Sequence, residues 1–105
     1  MTVTLDHRPR LLLVDDEPTN LQVLRQVLQQ EYRLQFATDG QRALELAREN
    51  TPDLILLDVL MPGMDAYAVC RALKAEAKTA ALPVILVPAL NDVADEVEDF
   101  AAGLL

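Results

Sequence analysis

Residues 11–16 have the sequence LLLVDD, in which four apolar residues are followed at once by two carboxylates. A short run that is apolar at every position is typical of a β-strand covered on both faces in a parallel sheet. Residues 54–58 repeat the pattern as LILLD. The two runs therefore predict two central parallel strands, each ending in an acidic residue.

A helix is predicted after the first of these strands. Pro18 suits the first helical turn, where its missing N–H costs nothing. Leu21, Leu24, Val27 and Leu28 follow at helical spacing and predict an apolar face. A polar leader that contains Pro9 and shows no periodicity precedes the first strand, so we expect residues 1–10 to form a tail.

The rest of the chain continues the alternation of strands and helices. Residues 33–37 alternate polar and apolar, with Leu34 and Phe36 on one face, which indicates a less buried strand near the sheet edge. Residues 84–87, VILV, form a third continuous apolar run. Three more helices are predicted from apolar residues at helical spacing. The first contains Ala43, Leu44 and Ala47, the second Tyr67, Val69, Cys70 and Leu73, and the third Val93, Val97, Phe100 and Ala101. Tyr67 is expected to be partly buried. This order predicts an α/β domain with a parallel sheet over residues 11–105.

Composition narrows the classes of function. A chain of 105 residues suits one domain, and its net charge of −8 repels nucleic acid and anionic lipid. No apolar stretch approaches the roughly 18 to 20 residues of a membrane span. Cys70 is the one cysteine, so it cannot form an internal disulfide and is expected to pack as a small hydrophobe. We expect a cytoplasmic protein without direct contact to nucleic acid or membrane.

The strand-ending acids Asp15, Asp16 and Asp58 are the candidate functional residues. One such acid is usually a solvated loop residue or a helix cap. Three of them at the carboxyl ends of adjacent parallel strands should share one pocket. Like charges so close resist joint ionisation, and an all-oxygen ligand set with few carboxylates suits Mg²⁺ better than Ca²⁺ or zinc. A carboxylate beside a bound cation is a candidate nucleophile toward phosphorus.

Two motifs carry a resemblance to a known family. Residues 13–17, LVDDE, and residues 53–65, DLILLDVLMPGMD, resemble the receiver domains of response regulators in two-component signalling, over about residues 10–103. The resemblance implies a flavodoxin-like, doubly wound parallel sheet with strand order 2-1-3-4 in the segment present. It also implies a signalling domain, not an enzyme, in which Asp58 accepts phosphate from a histidine kinase or phosphotransfer protein.

The resemblance further implies a ligand set for Mg²⁺. Asp16 and Asp58 would bind the ion directly, Asp15 would act mostly through bound water, and the main-chain carbonyl of Leu60 would complete the set. The family usually has Thr or Ser at the position of Pro88, and proline offers neither a hydroxyl nor an N–H. We therefore expect phosphorylation with an impaired conformational response.

The family also has a Lys, a fifth strand and a fifth helix beyond the point where this sequence stops. The fourth strand then becomes a sheet edge with unpaired main-chain groups, which favours association. Two alternatives stay open for this reason. Beside the phosphoacceptor receiver, one alternative is a degenerate receiver that acts as a protein association module without phosphate chemistry, and the other is a piece of a longer regulator.

Overall fold

Strands and helices alternate through residues 7–59 and 65–87, the part of the chain that the computed structural model describes. The elements are β1 (Arg10–Val14), α1 (Pro18–Leu28), β2 (Arg33–Ala37), α2 (Gly40–Glu49), β3 (Leu54–Asp58), α3 (Ala66–Ala75) and β4 (Val84–Val87). The first strand begins one residue earlier than the apolar run does. The predicted turn at residues 61–63, the helix around residues 93–101, Leu60 and Pro88 lie outside the described residues.

The described strands form one parallel sheet in the order β2-β1-β3-β4. This order confirms the predicted doubly wound α/β architecture. In the register, Val14 of β1 lies between Ala37 of β2 and Leu57 of β3, and Asp58 lies beside Val87 of β4. Parallel strands with this register bring their carboxyl ends to one edge of the sheet.

Two apolar layers cover the two faces of the sheet. Leu12 and Val14 pack with residues of α2 and α3, whereas Leu11 and Leu13 pack with Leu21 and Leu24 of α1. Alternate residues of β1 therefore enter different layers, as the period of two in a strand requires. Burial on both faces explains why β1 is apolar at every position from Leu11 to Val14. No helix of the described residues is long and apolar enough to cross a membrane.

The N-terminus of each described helix carries a residue that favours the start of a helix. Pro18 occupies the first turn of α1, as predicted. The side chain of Asp39 accepts a hydrogen bond from the backbone N–H of Arg42 at 2.8 Å and caps α2. Asp65 caps α3 in the same way, by accepting from the N–H of Tyr67 at 2.9 Å.

Two expectations about helix faces were wrong. Val27 is 37% exposed, because the face of α1 that packs against the sheet is the one that carries Leu21 and Leu24. Tyr67 was expected to be partly buried but is 53% exposed, since it lies on the first turn of α3 on the side opposite the buried Ala66 and Val69. The edge position of β2 was correctly predicted: most of its residues are partly exposed.

Candidate functional site

Three carboxylates meet at the edge where β1 and β3 end. One oxygen from each of Asp15, Asp16 and Asp58 lies within 4.8 Å of the others. Asp15 is fully buried and Asp58 is 4% exposed, whereas Asp16 is partly exposed. The pairing of β1 with β3 thus brings together acids that are more than forty residues apart in sequence, as the two apolar runs predicted.

The Asp15 carboxylate is held by two donors. One oxygen accepts from the backbone N–H of Glu17 at 3.0 Å, and the other accepts from the Nδ2 of Asn20 at 3.1 Å. The backbone N–H of Asp15 donates to the carbonyl of Ala37, which fixes the end of β1 against β2. Sequence reasoning missed Asn20. Its signal was a polar amide within the first turn of a helix that follows two acids.

Asp58 is placed by the sheet itself. It is the last residue of β3 and lies beside Val87 in the register, and the next residue, Val59, donates its N–H to the carbonyl of Val87 at 2.9 Å. The carboxylate is therefore carried on a strand that is paired on both sides. A side chain on such a strand is positioned more firmly than one on a loop.

The cluster carries an electrostatic cost. Loss of hydration, a hydrogen bond with Asp15 and the charge of Asp15 together raise the pKa of Asp16 above its ordinary value. A cation placed among the three oxygens would lower that cost. Carboxylate oxygens without His or Cys are ligands for a hard cation, so the donor set fits Mg²⁺. Among the described residues, Asp15, Asp16 and Asp58 form the group of acidic, His or Cys side chains whose ligand atoms lie close enough to share an ion.

Cys70 lies outside this cluster. It is partly buried on α3, and burial raises the pKa of its thiol. A raised pKa keeps the sulfur protonated and unreactive at neutral pH. This agrees with the expectation that Cys70 packs as a small hydrophobe.

The fold and the site together define a class of protein. Its members are α/β domains with a doubly wound parallel sheet and a carboxylate pocket at the carboxyl edge of that sheet. Residues 11–105 match the model of the response regulator receiver domain. The chain therefore belongs to the response regulator receiver family.

Individual relatives and solved structures agree with this family. The response regulator PleD of Caulobacter vibrioides is 43% identical over 95 residues, which cover 90% of this chain and 21% of PleD. Protein PilH of Pseudomonas aeruginosa is 36% identical over 89 residues, 84% of this chain and 74% of PilH. The chain thus spans about a fifth of the length of PleD.

Two solved structures are similar in fold. A putative response regulator from Chloroflexus aurantiacus superposes with a TM-score of 0.72 at 34% identity, covering 91% of this chain and 80% of that one. The receiver domain of the sensor histidine kinase PA1611 from Pseudomonas aeruginosa also gives 0.72, at 31% identity, covering 78% of this chain and 68% of that one. The latter structure has a magnesium ion coordinated in its active-site cleft.

Proposed function

We propose that this domain is a phosphoacceptor in a two-component phosphorelay. Asp58 receives a phosphoryl group from a histidine kinase or a phosphotransfer protein in a reaction that depends on Mg²⁺. The observation that carries the proposal is the meeting of three carboxylates within 4.8 Å at the carboxyl edge of the sheet. The domain turns over no separate substrate, since the phosphoryl group ends on its own side chain.

The carboxylates of Asp15, Asp16 and Asp58 and the carbonyl of Leu60 would hold the ion. When bound, Mg²⁺ would neutralise the carboxylates and stabilise the negative charge of the phosphoryl oxygens. The raised pKa of Asp16 supports this assignment, because burial and the neighbouring Asp15 disfavour the charged carboxylate, and a cation would offset that penalty. The magnesium in the cleft of the related PA1611 receiver is a second support.

The protein's own residues supply the nucleophile and its positioning. A carboxylate oxygen of Asp58 forms a bond to phosphorus as the bond from phosphorus to the donor nitrogen breaks, and the electron pair of that bond stays on the donor imidazole. Asn20 and the N–H of Glu17 keep Asp15 in place. The pairing of β3 with β1 and β4 holds the backbone of Asp58 at the carboxyl edge of the sheet.

The conformational response is proposed to be weaker than in most receivers. Pro88 supplies no hydroxyl to a phosphoryl group at the position where the family usually has Thr or Ser.

Intact-protein mass spectrometry tests the proposal. Incubation with acetyl phosphate and Mg²⁺ should add one phosphoryl group, which EDTA or Asp58→Asn abolishes. Glu31→Gln is the matched control, because Glu31 is an exposed acid in the turn after α1 and should leave the reaction unchanged. If wild-type protein gains no mass at saturating donor, the phosphoacceptor proposal is wrong.

A second candidate function is protein association through β4. Among the described residues, β4 pairs only with β3, and its Ile85 is 49% exposed. An apolar strand with an unpaired edge favours addition of another strand. Sedimentation over a concentration series should show self-association that Ile85→Lys removes and Val27→Lys, at another exposed apolar position, does not. A monomer at every concentration would exclude this function.

A further inference from the structure

A basic groove lies at the end of the sheet opposite to the acidic cluster. Its volume is about 510 Å³, and Arg8, Arg25 and Arg33 line it where the last turn of α1 meets the start of β2. Arg33 lies at the start of β2, about 13 Å from the carboxyl end of that strand, and the groove extends along β2 as far as Phe36. None of the described residues that line the groove belongs to the Asp15, Asp16 and Asp58 pocket.

The charges of Arg25 and Arg33 have no acidic partner among the described residues. The Nε of Arg33 donates to the carbonyl of Arg8 at 2.9 Å, which holds its side chain at the groove. Arg8 makes further contacts of its own, so Arg25 and Arg33 carry the charge argument. No carboxylate of the described part of the chain lines the groove.

The shape of the surface indicates an extended ligand. A second groove of about 290 Å³ runs along α1 and is lined by Gln22, Arg25, Gln26 and Gln29. The two grooves share Arg25 and Gln29, and both are open to solvent. A compact ligand would leave most of this length unfilled. A peptide in extended conformation would fill it, and glutamine amides can both donate to and accept from its backbone.

We propose that this surface binds an acidic peptide segment of a partner protein. Arg25 and Arg33 would pair with its Asp or Glu side chains, and the partly buried Leu34 and Phe36 would receive one apolar side chain. A long nucleic acid is disfavoured, because the chain as a whole carries a net charge of −8. The groove thus selects a short stretch of negative charge.

Fluorescence anisotropy with a labelled peptide of alternating Glu and Gly around one Leu tests the proposal. The experiment uses the Asp58→Ala protein without Mg²⁺, so that phosphate chemistry cannot contribute. The double variant Arg25→Gln/Arg33→Gln should weaken binding about fivefold, and added salt should weaken it further. The control Arg42→Gln/Arg71→Gln removes two exposed arginines from α2 and α3 and should change binding less than twofold.

Three outcomes would overturn the proposal. The first is equal affinity in the test and control variants. The second is equal affinity for a peptide in which Gln replaces Glu. The third is a single-stranded oligonucleotide that binds through Arg25 and Arg33 at least as tightly as the acidic peptide. If the double variant does not fold, Arg25→Gln alone decides, because Arg25 is exposed on α1.

Discussion

Replacing Asp16 by Asn should stabilise the metal-free protein. The pKa of Asp16 is raised, so the folded state holds its proton more tightly than the unfolded state does. The folded state therefore loses stability as the pH rises from the ordinary pKa of Asp through the raised one. Above the raised pKa that loss is complete. The side chain of asparagine does not ionise, so the variant avoids the free-energy cost of a charged carboxylate at this position.

The size of the effect follows from the separation of the carboxylates. Two unit charges 4.8 Å apart repel by about 3.5 kcal/mol at an effective dielectric constant near 20 and by about 0.9 kcal/mol in water. Asp16 is partly exposed, so solvent screening places the value near the lower limit, at about 1 kcal/mol. In a domain of this size that corresponds to a rise in Tm of about 4–8 °C.

Thermal melts in EDTA and in Mg²⁺ provide the assay. Wild type should gain about 1.4 kcal/mol when Mg²⁺ is present at ten times its Kd. Asp16→Asn should gain less, because it has lost a ligand. The difference in Tm between Asp16→Asn and wild type should therefore become smaller, or change sign, when Mg²⁺ is added. Glu31→Gln, which removes an exposed charge remote from the cluster, should change neither melt.

Two results would refute this reasoning. A lower Tm of Asp16→Asn in EDTA would show that the Asp16 carboxylate stabilises the apo fold. An equal Mg²⁺ gain in both proteins would show that Asp16 does not bind the ion. Either result would also weaken the assignment of the cluster as a metal site.

Three further predictions concern stability and reactivity. Thr79→Val should cost about 1–2 kcal/mol in urea unfolding, because the buried Thr79 hydroxyl donates to the carbonyl of Leu73 at 2.6 Å; an unchanged midpoint would contradict this. Leu24→Ala should cost about 2–5 kcal/mol, and Val27→Ala on the exposed side of the same helix below about 0.5 kcal/mol, so similar costs would show that α1 packs differently. Cys70 should react with iodoacetamide slowly at pH 7 and faster at higher pH, since burial raises its pKa; rapid labelling of native protein at pH 7 would oppose this.

Much of the fold could be predicted from hydrophobic pattern. The runs at residues 11–14, 54–57 and 84–87 became β1, β3 and β4, and the alternating run at residues 33–37 became the edge strand β2. The predictions for β1 and β3 succeed because a central strand covered on both faces is apolar throughout, whereas the edge strand β2 need not be. Helix faces were less predictable. Val27 has the right spacing, but only the position of α1 over the sheet decides which stripe it buries.

Some residues of the candidate site could likewise be predicted from the sequence, and others could not. The three aspartates could be identified because each follows a predicted strand, and parallel strands end at one edge. Asn20 could not be assigned, because its contact with Asp15 depends on how α1 leaves the sheet. The basic groove was also missed, since it joins residues 8, 25 and 33, which no local pattern connects.

The sequence by itself determined the class of this protein: periodicity fixed the strands, and the two acidic motifs fixed the candidate pocket. Only the tertiary structure decided how close the three carboxylates lie, which donors hold Asp15, and where the arginines of the basic groove gather. The physical reason is that burial pattern is a local property of the chain. Distance, hydrogen bonding and electrostatic potential between remote residues depend instead on the packing of α1, β2 and β3 in space.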